Sequence, residues 1–204
     1  MISADPQKQT EADNIQAAWS QSSYYPRIAE LKTAAQLAQE GYLSSVNYMR
    51  IRNMNISEIS SDNIGKLVSI VTDRVVIENI TPSSQLGAIL ASVQSEVLDL
   101  QDMLLNEKNT GALLTAMSAR VREVKLGYGV TLDPKLLAAY DGQGHCTELW
   151  VGSDTRDKYG PQLRSWAGDR RWTVTVDNSA WLAMKRLGQS SPLTGTTQGI
   201  HILY

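Results

Sequence analysis

The chain has 204 residues, of which 42% are hydrophobic and 20% charged, a composition that excludes disorder throughout and provides for one sizeable core. Its formal net charge of −2 excludes bulk attraction to nucleic acid or anionic lipid, so we expect neither nucleic acid nor a membrane as a partner. The single cysteine, Cys146, excludes an intrachain disulfide and favours a reducing intracellular compartment, in the first place the cytoplasm and in the second the nucleus. Because we find neither a secretory leader nor 18 consecutive apolar residues, we expect a soluble protein without a targeting segment.

The N-terminal part of the chain divides into a polar segment and a predicted helix. Residues 1–24 are mostly polar, and we expect them to be partly disordered. Over residues 25–42, Pro26 suits a first helical turn, apolar side chains return at helical spacing, and Gly41 follows as a stop signal. We predict that this helix caps the first unit of a single domain at 25–204.

An apolar pair separated by one residue recurs along the rest of the chain at a nearly constant interval. The first positions of successive pairs are 23 to 26 residues apart. The pairs are Met49/Ile51, Val75/Ile77, Leu98/Leu100, Val124/Leu126, Leu149/Val151, Val174/Val176 and Ile200/Ile202. A period in this range, with one strand and one helix per unit, indicates a repeat protein whose units stack as an α/β solenoid.

The units share one internal order of strand, turn and helix. In the second unit, residues 73–80 alternate as a strand and Ser83 or its neighbour can cap the helix that follows. In the third unit Asn109 or its neighbour is the predicted cap, and in the fourth Asp133 precedes a proline at the first helical position. We expect the strands to be parallel, with the first residue of every pair buried in one column.

We predict about six βα repeats over residues 43–188 and a last strand at 199–204. This strand would lie at the edge of the sheet with unpaired backbone groups, and so it offers a route to a homodimer. The competing architecture is a doubly wound sheet, which varies its connection lengths and carries a glycine-rich phosphate loop after an early strand. The constant spacing and the lack of such a loop favour the solenoid.

Two units carry the apolar pattern most fully. The first has Val46, Met49, Ile51, Met54 and Ile56, and the fourth has Val121, Val124 and Leu126. This pattern, over about residues 43–204, resembles the leucine-rich-repeat superfamily, whose motif is Leu-x-x-Leu-x-Leu-x-x-Asn-x-Leu. The asparagine position of that motif holds other residues here, and polar residues stand one place earlier, at Asn53, Asn79, Asp102, Ser153 and Asn178. The resemblance implies a curved parallel sheet with helices on its convex side, and a non-catalytic scaffold that binds proteins through the concave side.

Catalytic and metal chemistry was weighed against this interpretation. His145 precedes Cys146, which raises the alternative of a thiol nucleophile, but Cys146 occupies the repeat position of Val46 and Val121 and is expected in the core. His201 cannot complete a metal site with one cysteine. The acidic residues near strands are interpreted as a charged concave face: Asp99, Asp102, Glu123, Glu148, Asp154 and Asp177. We therefore expect no catalytic residue, no metal and no cofactor.

Alternation along the strands identifies the side chains of the concave surface. If Leu149 and Val151 point into the core, Trp150 points outward, and glycines beside it leave its ring uncovered. We predict that Trp150, Tyr128 and Trp172 form an aromatic anchor for a protein partner, with Arg50 and Arg52 as a basic end of the same surface. The alternative is that Trp150 packs under the preceding loop or against the C-terminal segment and binds nothing.

Three functions remain open at this point. The first is a protein-interaction scaffold or the repeat portion of an adaptor or receptor. The second is a doubly wound enzyme, which a cofactor or phosphate retained on purification would indicate. The third is a structural subunit of a larger complex, which the size of the native assembly in cell extract would reveal.

Overall fold

The computed structural model describes residues 5–140, 144–152, 154–155 and 158–159, and the backbone of 173–176. The expected helices of the last two repeats, the edge strand at 199–204 with its route to a homodimer, and Trp172 lie outside the described residues. The structure is α/β, with strands and helices in alternation after two N-terminal helices.

The structure gives bounds for six α-helices and six strands. The helices are α1 Pro6–Trp19, α2 Ile28–Glu40, α3 Ser61–Ser69, α4 Ser84–Ser92, α5 Glu107–Ala119 and α6 Pro134–Ala139, with a short 3-10 turn at Ile56–Glu58. The strands are β1 Val46–Arg52, β2 Val71–Glu78, β3 Val97–Gln101, β4 Glu123–Leu126, β5 Glu148–Val151 and β6 Thr173–Val176. Among these described elements, none is a helix with the length and apolar character that crossing a membrane requires.

The strands form one sheet in which every pairing is parallel and the spatial order follows the chain, from β1 to β6. The predicted register is confirmed. The first residues of the apolar pairs lie opposite one another in the column Met49, Val75, Leu98, Val124, Leu149 and Val174. All of these side chains that the structure describes are fully buried, because each strand presents the same face of its pleat to the helices.

The helices form a row beside the sheet, since each of α2 to α5 packs against the next helix along the chain. Their apolar faces and the inward side chains of the strands share one core, in which Leu31, Leu67, Leu90 and Leu113 contribute from four successive helices. A parallel strand and its crossover helix cannot cover their apolar faces within one unit, so each unit depends on its neighbours for a core.

Polar side chains start the helices, with one difference from the predictions. Ser83 accepts a hydrogen bond from the Leu86 amide, and Asp133 accepts bonds at the start of α6, as expected. The third unit differs, because its helix begins earlier and Asn106, in place of Asn109 or its neighbour, is the cap. Asn109 is instead buried, and its side-chain amide donates to the Ser83 carbonyl.

The N-terminal segment differs from the expectation of partial disorder. Residues 6–19 form a helix of 14 residues, capped by Asp5, that packs against β1 and α2. Ala12 and Trp19, two turns apart on one face, are each only 1% exposed. The sequence predicts disorder here because only a few apolar side chains, chiefly Ala12 and Trp19, pack against the core and most other positions are polar. The helix predicted over residues 25–42 is α2, and it belongs to the helix row. α1 lies outside that row and packs on the first unit.

Polar residues with left-handed backbone follow the first three strands. Asn53, Asn79 and Asp102 have φ values of 50°, 49° and 46°, a conformation that Asn and Asp tolerate better than other side chains. The Asn79 amide donates to the Asn53 side-chain oxygen at 2.8 Å, which joins adjacent units. The polar residues that stand one place before the family's asparagine position therefore make the turns that end these strands.

Candidate binding surface on the open face of the sheet

We call the sheet side that points away from the buried column the open face. Its central row runs from Arg50 through Val76, Asp99 and Lys125 to Trp150, because these residues alternate with the core residues and lie opposite one another in register. The row places Arg50 and Trp150 on the same face, as predicted. They are four strand steps apart, or about 19 Å at the usual strand spacing.

Trp150 lies half-buried on β5, and its ring contacts the cation of the adjacent strand. The Lys125 ammonium lies 4.7 Å from the ring centroid, a cation–π geometry. The Trp150 ring nitrogen is buried and has no hydrogen-bond partner among the described residues. Lys125 also forms an ion pair with Glu123 at 3.6 Å, so Glu123, Lys125 and Trp150 are in contact with one another in sequence at this end of the row.

A depression of about 300 Å³ opens beside Trp150. The residues that line it are Asp99, Gln101, Lys125, Leu126, Gly127, Tyr128, Trp150, Val151 and Gly152. A Cβ atom at residue 152 would lie 2.9 Å from the carbonyl carbon of Gly127, so the two backbones touch and leave no room for a side chain. Backbone atoms of Gly127 and Gly152 therefore form part of the depression wall, next to the Trp150 ring.

Tyr128 lies just beyond the end of β4 and is 74% exposed. It lines the same depression as Trp150, so the structure brings together two of the three predicted aromatic residues. Burying a tyrosine ring that is exposed to this extent would remove a large apolar area from water while its hydroxyl could still bond a partner.

The predicted basic end of the surface includes an aromatic residue that the sequence patterns did not identify. Tyr25 lies with its ring centroid 5.1 Å from the Arg50 guanidinium and 5.3 Å from that of Arg52. Arg50 Nη1 also donates to the Tyr25 hydroxyl at 3.0 Å. Tyr25 precedes α2 by three residues and gives no periodic signal, so its contact with β1 had no sequence signature.

Two of the carboxylates on the β3–β5 part of the open face pair with an arginine. Glu123 and Glu148 lie opposite each other on β4 and β5, and Arg122 contacts both, at 3.4 Å and 2.9 Å. Asp99 accepts a hydrogen bond from the Gln101 side-chain amide at 3.0 Å. No group of three or more acidic, histidine or cysteine side chains within the described part of the chain has an arrangement suited to a metal ion.

Cys146 lies in the core at 2% exposure, and its thiol donates to the Glu148 carbonyl. Burial raises the pKa of this thiol to about 12. The reactive thiolate is therefore a negligible fraction at neutral pH, and the neighbouring His145 is exposed. This geometry does not suit a nucleophile.

Comparisons with family models, curated proteins and solved structures give no match to this chain.

Proposed function

We propose that the chain is a leucine-rich-repeat-type βα solenoid that binds a protein partner through the open face, without catalysis. The sequential parallel order of the strands and the constant length of the units support the solenoid. The polar left-handed residues after β1, β2 and β3 support the family, because they stand one place from its asparagine position. The Asn79 side chain also bonds that of Asn53 in the preceding unit.

One observation carries the binding role: Trp150 and Tyr128 line a single depression, beside two glycines whose backbones touch. Aromatic residues dominate the energetics of protein interfaces because they remove large areas from water and keep a polar atom for directed bonds. The wide exposure of the Tyr128 ring favours a surface that a partner completes.

The doubly wound enzyme is the weaker alternative. Such sheets bind ligands where the strand order reverses, and the described strands follow one another without a reversal. A structural subunit of a fixed complex would use the same open face, and it differs from a free scaffold in the size of its native assembly. An intracellular location, as expected from the single cysteine, is part of the proposal.

The test removes the anchor without disturbing the fold. The double variant Trp150→Ala/Tyr128→Ala should keep a cooperative melt and lose its partners in affinity capture from cell extract. Leu104→Ala is the matched control, because Leu104 is 55% exposed but does not line the depression. Retained capture by a well-folded double variant would exclude this surface.

A further inference from the structure

Three arginines gather at the β1 end of the open face, and we call Arg50, Arg52 and Arg74 the arginine cluster. Arg50 and Arg52 are two residues apart on β1, which separates them by about 7 Å along the strand. Arg74 lies on β2 opposite Tyr48 and is therefore the diagonal neighbour of Arg50, at about 7–8 Å. All three alternate with core residues and belong to the open face.

The cluster is short of negative partners. Of the five N–H donors of Arg50, the described residues accept only one, and the buried Nε has none. Arg74 makes no ion pair or side-chain hydrogen bond with any described residue, and Arg52 reaches Glu78 only at 3.8 Å. Closer ion pairs elsewhere in the described chain are Lys8–Glu40, Arg27–Glu30, Lys32–Glu58, Arg122–Glu123, Arg122–Glu148 and Lys125–Glu123.

Tyr25 contacts two of the three arginines and holds them in place before binding. Its ring is within 5.3 Å of two guanidinium groups, and its hydroxyl accepts from Arg50. A guanidinium that is already held in place loses less side-chain freedom when it binds, and its planar fork matches a carboxylate with two parallel hydrogen bonds. The geometry therefore favours a carboxylate-bearing ligand.

The charges of the open face are segregated. Its β1–β2 part holds the arginine cluster and one carboxylate, Glu78, a formal charge of +2. Its β3–β5 part holds Asp99, Glu123 and Glu148 with Lys125 and the adjoining Arg122, a formal charge of −1. A long polyanion such as nucleic acid, or a flat anionic membrane, would meet the acidic part within about 10–20 Å of the cluster. A short acidic stretch of polypeptide can avoid that repulsion.

We propose that the arginine cluster binds an acidic segment of a polypeptide partner that continues across the strands to place an apolar side chain in the depression beside Trp150. This inference rests on the proposed function and adds the chemistry and direction of the partner. Four strand steps of about 19 Å correspond to about six extended residues, so acidic and apolar ends separated by that length fit the face.

The test uses fluorescein-labelled hexaglutamate as the probe, with the full chain and anisotropy at low salt. Arg50→Gln/Arg74→Gln should weaken hexaglutamate binding about tenfold, since two charge-assisted contacts are lost. Lys66→Gln/Lys108→Gln removes the same charge from exposed positions on α3 and α5 and should change binding less than about twofold. If the double arginine variant does not fold, Arg74→Gln alone carries the comparison, because Arg74 has no partner among the described residues.

Three results would overturn the inference. The first is an equal loss of hexaglutamate affinity in the arginine and lysine double variants. The second is hexalysine binding as tightly as hexaglutamate. The third is cluster-dependent binding of oligodeoxythymidylate or of phosphatidylserine vesicles that is tighter than the binding of hexaglutamate. The proposed function is tested separately. The variant Trp150→Ala/Tyr128→Ala should leave hexaglutamate binding nearly unchanged. Partner capture retained by that variant would refute the aromatic anchor while the arginine result stands.

Discussion

Replacing Leu98 with alanine tests whether the buried column holds the units together. Leu98 is fully buried at the centre of the sheet, between Val75 on β2 and Val124 on β4. The substitution removes the side-chain atoms from the core of three units and leaves a cavity that a packed sheet cannot close. We expect a loss of about 3 kcal/mol in the free energy of unfolding, within the usual range of about 2–5 kcal/mol for such sites.

For a chain of this length, a loss of about 3 kcal/mol corresponds to a fall of roughly 6–12 °C in Tm. Thermal unfolding followed by circular dichroism measures it directly. Leu104→Ala is the matched control, because it removes the same atoms from a side chain that is 55% exposed. We expect the control to change stability by less than about 0.5 kcal/mol. A Leu98→Ala variant that melts with the control would refute the shared column.

Two further predictions concern titratable groups. Because Cys146 is buried, a thiol reagent should label it at pH 8 only as fast as the protein unfolds. Burial raises the pKa of this thiol from 9.0 to about 12, so the stability that the neutral thiol contributes should be lost as the pH rises from 9 toward 12. The Tyr24 hydroxyl and the Arg27 guanidinium lower the pKa of Glu30 below 4.5 by hydrogen bonding. Glu30→Gln should therefore destabilise the protein at pH 7, and the loss in the free energy of unfolding should shrink as the pH falls below 4.5. Rapid labelling of native Cys146, or a pH-independent deficit for Glu30→Gln, would contradict these assignments.

The register of the sheet was predictable because one sequence feature determines it. When units have nearly constant length and every strand buries the same pair of positions, aligning Met49 with Val75 and Leu98 also aligns the backbone hydrogen bonds. The same argument placed Arg50 and Trp150 on one face, since alternation along a strand leaves no other arrangement.

The features that the sequence did not predict depend on contacts between distant segments. The helix at residues 6–19 buries mainly Ala12 and Trp19, so its hydrophobic periodicity is weak and its packing decides its structure. The contact of Tyr25 with Arg50 joins residues from different elements and has no periodic signature. The cap at Asn106 was missed because several polar residues precede that helix, and only the backbone shows which one ends the loop.

The most direct test of the proposed function asks which face of the protein meets a partner in cells. A photo-crosslinking amino acid is placed at Tyr128 on the open face in one variant and at Lys66, exposed on α3, in the other. Both positions tolerate the change because neither side chain is in the core. We predict discrete cross-linked adducts from position 128 and none from position 66. Adducts from position 66 with none from position 128 would contradict binding through the open face.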